Sequence, residues 1–290
     1  MPAVLLATCA ELPDGDEDRA VLTTALSARG IGSSWAVWDD PAVDWARGPV
    51  VIRSTWDYTA RRDEFVAWAG SVPVLLNPGP VVEWNSDKVY LRELAAAGVP
   101  VVSTEWAAPG EPVVLPAAAQ FVVKPSVGAG SRGAGRFPAS DRAAALAHAA
   151  QLHEAGRTVL AQPYLDRVDA DGETALLYFD GRFSHAVRKG AMLAEGTVHE
   201  MQSYALYIPE RITAREPSAA EFAVAAAALA VLRERFGAEL LYTRVDLLPG
   251  PDGPQLVELE AVEPSLFLLH SPGAAERFVA ALAARLSMPG

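Results

Sequence analysis

Two apolar segments near the C-terminal end carry charges that a buried β-strand tolerates only when they are paired. In Leu240-Leu241-Tyr242-Thr243-Arg244-Val245-Asp246-Leu247-Leu248, Arg244 and Asp246 stand two residues apart, so the pleat puts both on one face. Glu258 and Glu260 repeat that spacing in Leu256-Val257-Glu258-Leu259-Glu260-Ala261-Val262. Between them, Pro249-Gly250-Pro251-Asp252-Gly253-Pro254 reads as a hairpin connection. A suitable register gathers three carboxylates, Asp246, Glu258 and Glu260, beside one guanidinium. Clustered carboxylates repel one another, a divalent cation relieves the repulsion, and hard oxygen donors suit Mg2+, which commonly also takes water and substrate phosphates. The alternative is a solvated sheet face with alternating charges.

The N-terminal part has a different texture. Short apolar runs (Ala3 to Thr8, Trp35 to Trp38, Val50 to Arg53, Val72 to Leu76) alternate with amphipathic segments (Asp16 to Arg29, Arg61 to Ala69), a βαβ pattern that predicts a small parallel sheet. Asp16-Glu17-Asp18 supplies acids for the start of the first helix, and Arg29-Gly30 closes it. Asn77-Pro78-Gly79-Pro80 breaks the pattern, and Asn85 or Ser86 can cap a helix running to Ala97. From Val99 onward an α+β region is expected, with helices at Ser140 to Ala155 and Ser218 to Phe236. The second of these opens with the capping box Ser218-Ala219-Ala220-Glu221 and ends at Gly237.

Phe121-Val122-Val123-Lys124-Pro125 runs into a glycine-rich loop, Ser126 to Gly135, that contains a literal G-x-G-x-x-G. A dinucleotide fingerprint needs that loop to open a helix, but Arg136-Phe137-Pro138 follows it, so a hydride-transfer enzyme is disfavoured. A flap between two strands fits, with backbone N–H groups closing over phosphates beside a strand lysine. Lys88, Lys124 and the pair Arg188-Lys189 add cations in apolar surroundings. Singly each is a snorkelling surface residue; together with the flap and the carboxylates they supply what phosphoryl transfer requires.

Composition bounds the remaining classes. A formal net charge of −12 over 290 residues argues against nucleic-acid partners, whose nonspecific binding depends on Lys and Arg neutralising phosphates. No apolar run approaches ~18 residues, and the first residues lack the basic and apolar regions of a secretory signal, so no membrane span and a cytoplasmic location are expected. The single cysteine, Cys9, reads as a small buried apolar residue.

Taken in order, these residues resemble the ATP-grasp superfamily of carboxylate–amine ligases over essentially the whole chain. The resemblance implies a three-domain fold: an N-terminal parallel α/β substrate domain (1–84), a central α+β lobe with the flap (85–161) and a C-terminal α+β lobe with the magnesium site (162–290), the two lobes sandwiching ATP. It implies that Lys88 and Lys124 contact ATP phosphates, that Ser131 sits in the flap, that Gln162, Tyr164 and Leu165 receive adenine, and that Glu173 binds the ribose. Lys189 would reach the γ-phosphate, Arg244 would steady the acyl-phosphate and tetrahedral states, and Asp246, Glu258 and Glu260 would hold Mg2+.

Glu260 departs from the Glu-x-Asn pattern of many relatives. The combination Arg53-Ser54-Thr55-Trp56-Asp57-Tyr58, Trp84-Asn85-Ser86-Asp87-Lys88, Gln162-Pro163-Tyr164 and Ser184-His185-Ala186-Val187-Arg188-Lys189-Gly190 is similar to the branch containing D-cycloserine synthetase. That branch implies ADP-forming cyclisation of an amino-acid-like small molecule, O-ureido-D-serine. Intermolecular amide formation and a non-catalytic ATP-binding regulator are the alternatives. Arg53, Arg188 and Ser265 are the candidate substrate residues. Arg53 ends a strand where open parallel sheets present ligand groups, with a substrate carboxylate or a structural ion pair as its partner. Trp56 and Tyr58 either shape the same pocket or fill the core, and His185 reads as structural. The oligomeric state, a homo-oligomer included, is left open.

Overall fold

The computed structural model describes residues 3–199 and 211–287. Its N-terminal part runs β1 (Ala3–Thr8), α1 (Arg19–Ala28), β2 (Gly32–Val37), β3 (Val50–Ser54), α2 (Arg62–Ser71) and β4 (Leu75–Leu76). These strands form a parallel sheet in the order β2-β1-β3-β4, as right-handed βαβ crossovers require. The C-terminal ends of β1 and β3 lie side by side, with a hydrogen bond between the Thr8 and Ser54 hydroxyls of 2.8 Å. The loop leaving β3 there carries Trp56 and Tyr58.

Two helix starts differ from expectation. α1 has no acid in its first turn, because its acids are used elsewhere: Asp16 pairs with Arg53 at 3.2 Å and Asp18 accepts from the Leu269 N–H at 3.1 Å. The single helix expected from Asn85 to Ala97 is two, α3 (Gly79–Asn85) and α4 (Tyr90–Ala96). Asn85 does not cap the second; its amide lies against a distant strand, donating to the Leu259 carbonyl at 2.7 Å and accepting from the Ala261 N–H at 2.6 Å. The Lys88 N–H bonds to the Ser126 carbonyl at 2.9 Å, so the stretch carrying Lys88 is strapped between two sheets instead of coiling onward.

The central lobe contains β5 (Glu105–Ala107), β6 (Gln120–Pro125), β7 (Gly135–Pro138), α5 (Arg142–Glu154) and β8 (Val159–Pro163). They form an antiparallel sheet in the order β5-β8-β6-β7, with α5 packed on it through Ala145, Ala149 and Leu152 against Phe121, Val123 and Phe137. α5 begins two residues after the expected Ser140, where the Asp141 carboxylate accepts from the Ala144 N–H. The expected division after residue 161 falls inside β8, whose Pro163 still pairs with Phe121. The glycine-rich loop joins β6 to β7, its antiparallel neighbour, so it opens a strand and not a helix.

After α6 (Val168–Asp171), the third unit comprises β9 (Glu173–Phe179), β10 (Arg182–Lys189), β11 (Ile212–Arg215), α7 (Ala219–Phe236), β12 (Tyr242–Gly250), β13 (Gly253–Glu260) and α8 (Ala274–Leu286). The sheet is antiparallel in the order β11-β10-β9-β12-β13. One face takes α7 and α4 through Leu232, Ala228 and Leu94; the other takes α8 through Phe278 and Leu282, and this layer continues into Leu22 and Leu26 of α1. The capping box at Ser218 and the left-handed stop at Gly237, φ 70°, bound α7 as expected; a side chain at Gly237 would strain that turn. Cys9 is fully buried, and burial pushes its thiol up to about 11.

The three units are joined by side chains that saturate backbone groups across domain boundaries. Asn77, in the left-handed region with φ 69°, donates to the carbonyls of Tyr242 and Ala261 and accepts from the Leu241 N–H. Left unpaired, each of those buried groups would cost about 1–3 kcal/mol. The end of the parallel domain's last strand is therefore fastened to the ends of β12 and β13.

Candidate active site

The three units surround a cavity of about 690 Å³. Its floor is the β12–β13 hairpin. The register sets Asp246 opposite Glu258 and Arg244 opposite Glu260, so the charges lie on alternate rungs of one face, and the solvated-sheet alternative is excluded by their burial and pairing. Asp246 is 1% exposed; Arg244 bonds it through two nitrogens, at 2.8 Å each, and Lys189 reaches it at 3.2 Å. Burial alone would raise its carboxyl, but these two cations outweigh that and hold it well below the usual carboxylate range. Arg244 also donates to Glu260 and, at 3.2 Å, to the Ser265 carbonyl. Its guanidinium lies 5.4 Å from the ring centre of Phe267, whose backbone is in the left-handed region at φ 50°, strain of the kind that concentrates at functional sites.

Glu258 meets Lys88 at 2.8 Å, and Lys88 also donates to the Gly128 carbonyl at 2.7 Å. Burial raises Glu258, yet Lys88 and Lys124 bring it below its ordinary value. Glu260 goes the other way: burial, with Glu258 and Asp246 nearby, lifts it well above the ordinary range despite Arg244. Among the described residues no group of three or more acidic, His or Cys side chains converges into a ready-made metal site, because each floor carboxylate is turned to a cation. The donor set still suits a hard divalent ion: Asp246, Glu258 and Glu260 offer only carboxylate oxygens from adjacent strands, once their cations are drawn to another anion.

The roof is the loop between β6 and β7. Gly130, Ser131 and Gly133 take left-handed backbone, with φ of 60°, 59° and 72°, and Ser131 Oγ lies 3.6 Å from Met192 Sδ. Arg132 latches the loop onto the N-terminal domain, donating to the Trp56 carbonyl and, at 3.0 Å, to Thr59 Oγ1. Lys124 lines the cavity from β6 and, among the described residues, has no ion pair; burial pushes its ammonium down to about 8. At the far end Gln162, Tyr164 and Leu165 line the cavity. Gln162 donates to Thr104 Oγ1 at 2.8 Å, and the Tyr164 ring lies 3.5 Å from the Arg136 guanidinium. Glu173 and Lys189 pair at 2.6 Å on the wall between.

Ser265 lines the cavity beside Arg244, but the other two candidate substrate residues do not. Arg53 is fully buried, held by Asp16 and by the Pro264 carbonyl at 3.2 Å, so the ion-pair reading describes it. Arg188 points to the carbonyls of Ala170 and Asp171, both at 2.7 Å, on the face opposite Lys189. His185 is 5% exposed, bonds to the Leu266 carbonyl at 3.0 Å, and is pushed down to about 4 by burial, a structural histidine. Trp56 and Tyr58 do both things weighed for them, lining the cavity while buried.

Sequence reasoning missed Glu263. It lines the cavity one turn of chain beyond Glu260, and burial raises it to about 7. Its signal was faint: a third acid three residues after Glu260, where strand periodicity has ended.

A parallel α/β domain and two antiparallel lobes closing on a cavity of lysines, an arginine and carboxylates make up the ATP-grasp fold. A structure of the ATP-grasp ligase PsnB, complexed with minimal precursor, Mg and ADP, matches it with a TM-score of 0.60 at 18% identity, covering 98% of each chain. Residues 4–77 match the family model described as D-cycloserine synthetase DcsG, N-terminal domain. The cycloserine biosynthesis protein DcsG of Streptomyces lavendulae is 41% identical over 290 residues, covering 93% of this chain and 94% of that protein. A crystal structure of D-cycloserine synthetase DcsG matches with a TM-score of 0.88 at 40% identity, covering 98% of this chain and all of the other. The chain belongs to the DcsG family, and with it to the ADP-forming carbon–nitrogen ligases of the ATP-grasp class.

Proposed function

We propose that the chain uses ATP to activate the carboxylate of an amino-acid-like small molecule and closes that molecule on its own nitrogen, converting O-ureido-D-serine to D-cycloserine. The observation that carries this reading is the pairing in the cavity: Lys88, Lys189 and Arg244 neutralise the floor carboxylates, while Lys124 has no ion pair among the described residues. Such a site is balanced when empty and can take a polyphosphate by handing its cations over. Similarity to DcsG over nearly the whole chain supports the substrate class.

In this reading Gln162, Tyr164 and Leu165 receive adenine and Glu173 the ribose. Lys88, Lys124 and the flap around Ser131 hold the phosphates, and Lys189 neutralises the transferred group. Arg244 steadies the acyl phosphate and the tetrahedral state that follows, where charge develops on oxygen. Asp246, Glu258 and Glu260 would hold Mg2+, whose positive charge on the phosphate oxygens supplements the lysines. The substrate lies toward Trp56, Tyr58 and Ser265. Residues 1–84 serve as the substrate domain, 85–161 as the flap lobe and 162–290 as the metal lobe, with β8 completing the flap lobe's sheet. A cytoplasmic location goes with this chemistry, which draws on ATP. No helix among the described residues is long and apolar enough to cross a membrane.

Incubation with ATP, Mg2+ and O-ureido-D-serine, followed by assay of ADP and D-cycloserine, tests the proposal. Both products are expected in equal amounts. No ADP with that substrate, but ADP with a pair of amino acids, would transfer the reading to an intermolecular amide-forming ligase.

A further inference from the structure

The acidic groups on and just beyond the β12–β13 floor of the cavity fall into two kinds. Asp246, Glu258 and Glu260 each have a lysine or arginine partner, whereas Glu263 has no ion-pair partner among the described residues. Its carboxyl instead faces the Tyr58 side chain, which is 3% exposed and draws the carboxyl down against its burial. The backbone beneath it is immobilised from four directions. Tyr242 Oη donates to the Val262 carbonyl at 2.8 Å, Trp56 Nε1 to the Glu263 carbonyl at 2.9 Å, Arg53 to the Pro264 carbonyl at 3.2 Å and Arg244 to the Ser265 carbonyl at 3.2 Å. Two of these donors, Arg53 and Trp56, come from the parallel domain and the other two from β12. Fixing four successive carbonyls this way holds one side chain in place relative to Arg244.

We infer that Glu263 is a catalytic residue of the ligase, the carboxylate that contacts the attacking nitrogen of the substrate and accepts its proton. This rests on the reaction proposed above. As the N–C bond to the activated carbonyl forms, the nitrogen gives its N–H proton to a Glu263 carboxylate oxygen. The C–O bond to phosphate breaks, and inorganic phosphate leaves with the electron pair; water then cleaves the carbamoyl group from the ring nitrogen as carbamic acid, which falls apart to CO2 and NH3 and leaves D-cycloserine. Arg244, on the adjoining strand, faces the oxygen that carries the developing charge. Tyr58, beside the carboxyl, would orient it toward the substrate. The charged and titratable groups facing Glu263 are Tyr58 from the loop after β3, Lys88 from the linker before α4, Glu258 from β13 and Arg244 from β12. Burial outweighs the two cations and brings the carboxyl to about 7, where a base is half available at neutral pH.

The test separates activation from ring closure. Hydroxylamine, a strong nucleophile that is neutral at pH 7, intercepts an acyl phosphate as a hydroxamate without help from a base. In the full-length Glu263→Gln enzyme, with ATP, Mg2+ and O-ureido-D-serine, hydroxamate formation is expected to stay within about threefold of wild type, while D-cycloserine formation falls about 10²-fold at little-changed KM. The acid limb of the wild-type kcat profile near pH 7 is expected to vanish in Glu263→Gln and to shift in Tyr58→Phe. Thermal melts of both variants check that they fold. A rise in KM at unchanged kcat would overturn the inference in favour of simple substrate binding, and equal loss of hydroxamate and product would overturn it in favour of a structural role. Failure of wild type to form any hydroxamate or ADP sinks the proposed reaction itself, a different result from either.

Discussion

The floor and the roof of the cavity use opposite designs. On the floor, β12 and β13 hold Arg244, Asp246, Glu258 and Glu260 in register, every charge answered by another, on a hairpin at one end of a sheet packed from both faces. In the roof, a glycine-rich loop contributes mainly backbone beside Lys124 of β6, which has no ion pair among the described residues, and is tied down by single hydrogen bonds such as those from Arg132 and from Lys88 to the Gly128 carbonyl. In the proposed reaction the floor would hold the transition state because its groups are fixed before substrate arrives; the roof would admit the nucleotide because it is held by separate hydrogen bonds and not by packed charge pairs.

The sharpest way to break this comparison is to remove the floor's arginine. Arg244→Ala is expected to lower kcat about 10²-fold or more in an ADP-release assay. Arg244→Lys should recover little, since an ammonium lacks the fork that meets Asp246 and Glu260 together. Melting curves should show a folded protein, because Asp246 keeps Lys189. Turnover within a few-fold of wild type would end the floor's special status.

The floor's rigidity can be tested from behind. Asn85→Ala strands the Leu259 carbonyl and the Ala261 N–H, and chemical denaturation should report a loss of about 2 kcal/mol. A neutral result would mean that β13 is not held by α3.

Lys124 tests the roof by two readouts of opposite sign. Its folded pKa, about 8, lies below the ordinary lysine value of 10.5, so between those values the unfolded chain keeps a proton that the folded chain has lost. Stability of the ligand-free protein should therefore rise over that window, while calorimetric ATP affinity should fall as pH passes 8. Lys124→Met should abolish both trends and weaken ATP roughly tenfold. The mildest expectation concerns the latch: Arg132→Ala should raise the KM for ATP about threefold with kcat nearly unchanged, as expected when only ground-state binding is lost.

The floor was legible in the sequence because its chemistry repeats at strand period, two residues apart on each of two segments joined by an obvious turn. The flap was legible because a lysine-bearing strand enters glycines and leaves as another strand. What stayed hidden depends on partners far along the chain. Asn85 reads as a helix cap until β13 is set beside it, 174 and 176 residues away. Arg53 reads equally as a ligand group or an ion pair until Asp16 and Pro264 close on it. Glu263 sits in an irregular loop, where no periodicity says which way a side chain points. The division expected after residue 161 falls within β8 for a related reason: the strand runs straight on into Tyr164 and Leu165 at the far end of the cavity, with no break in composition to mark the end of its sheet.

The loop from Val262 to Ser265 is held by Arg53 and Trp56 across separations of 211 and 207 residues. The substrate end of the cavity is thus a seam between two domains, and neither side determines its shape alone. A relative that comes to accept a longer or bulkier amino acid must change the end of β3 and the loop after β13 in concert, since altering either alone undoes the carbonyl contacts that hold the other. If the substrate binds there as proposed, its preference would be inherited as a matched pair of segments.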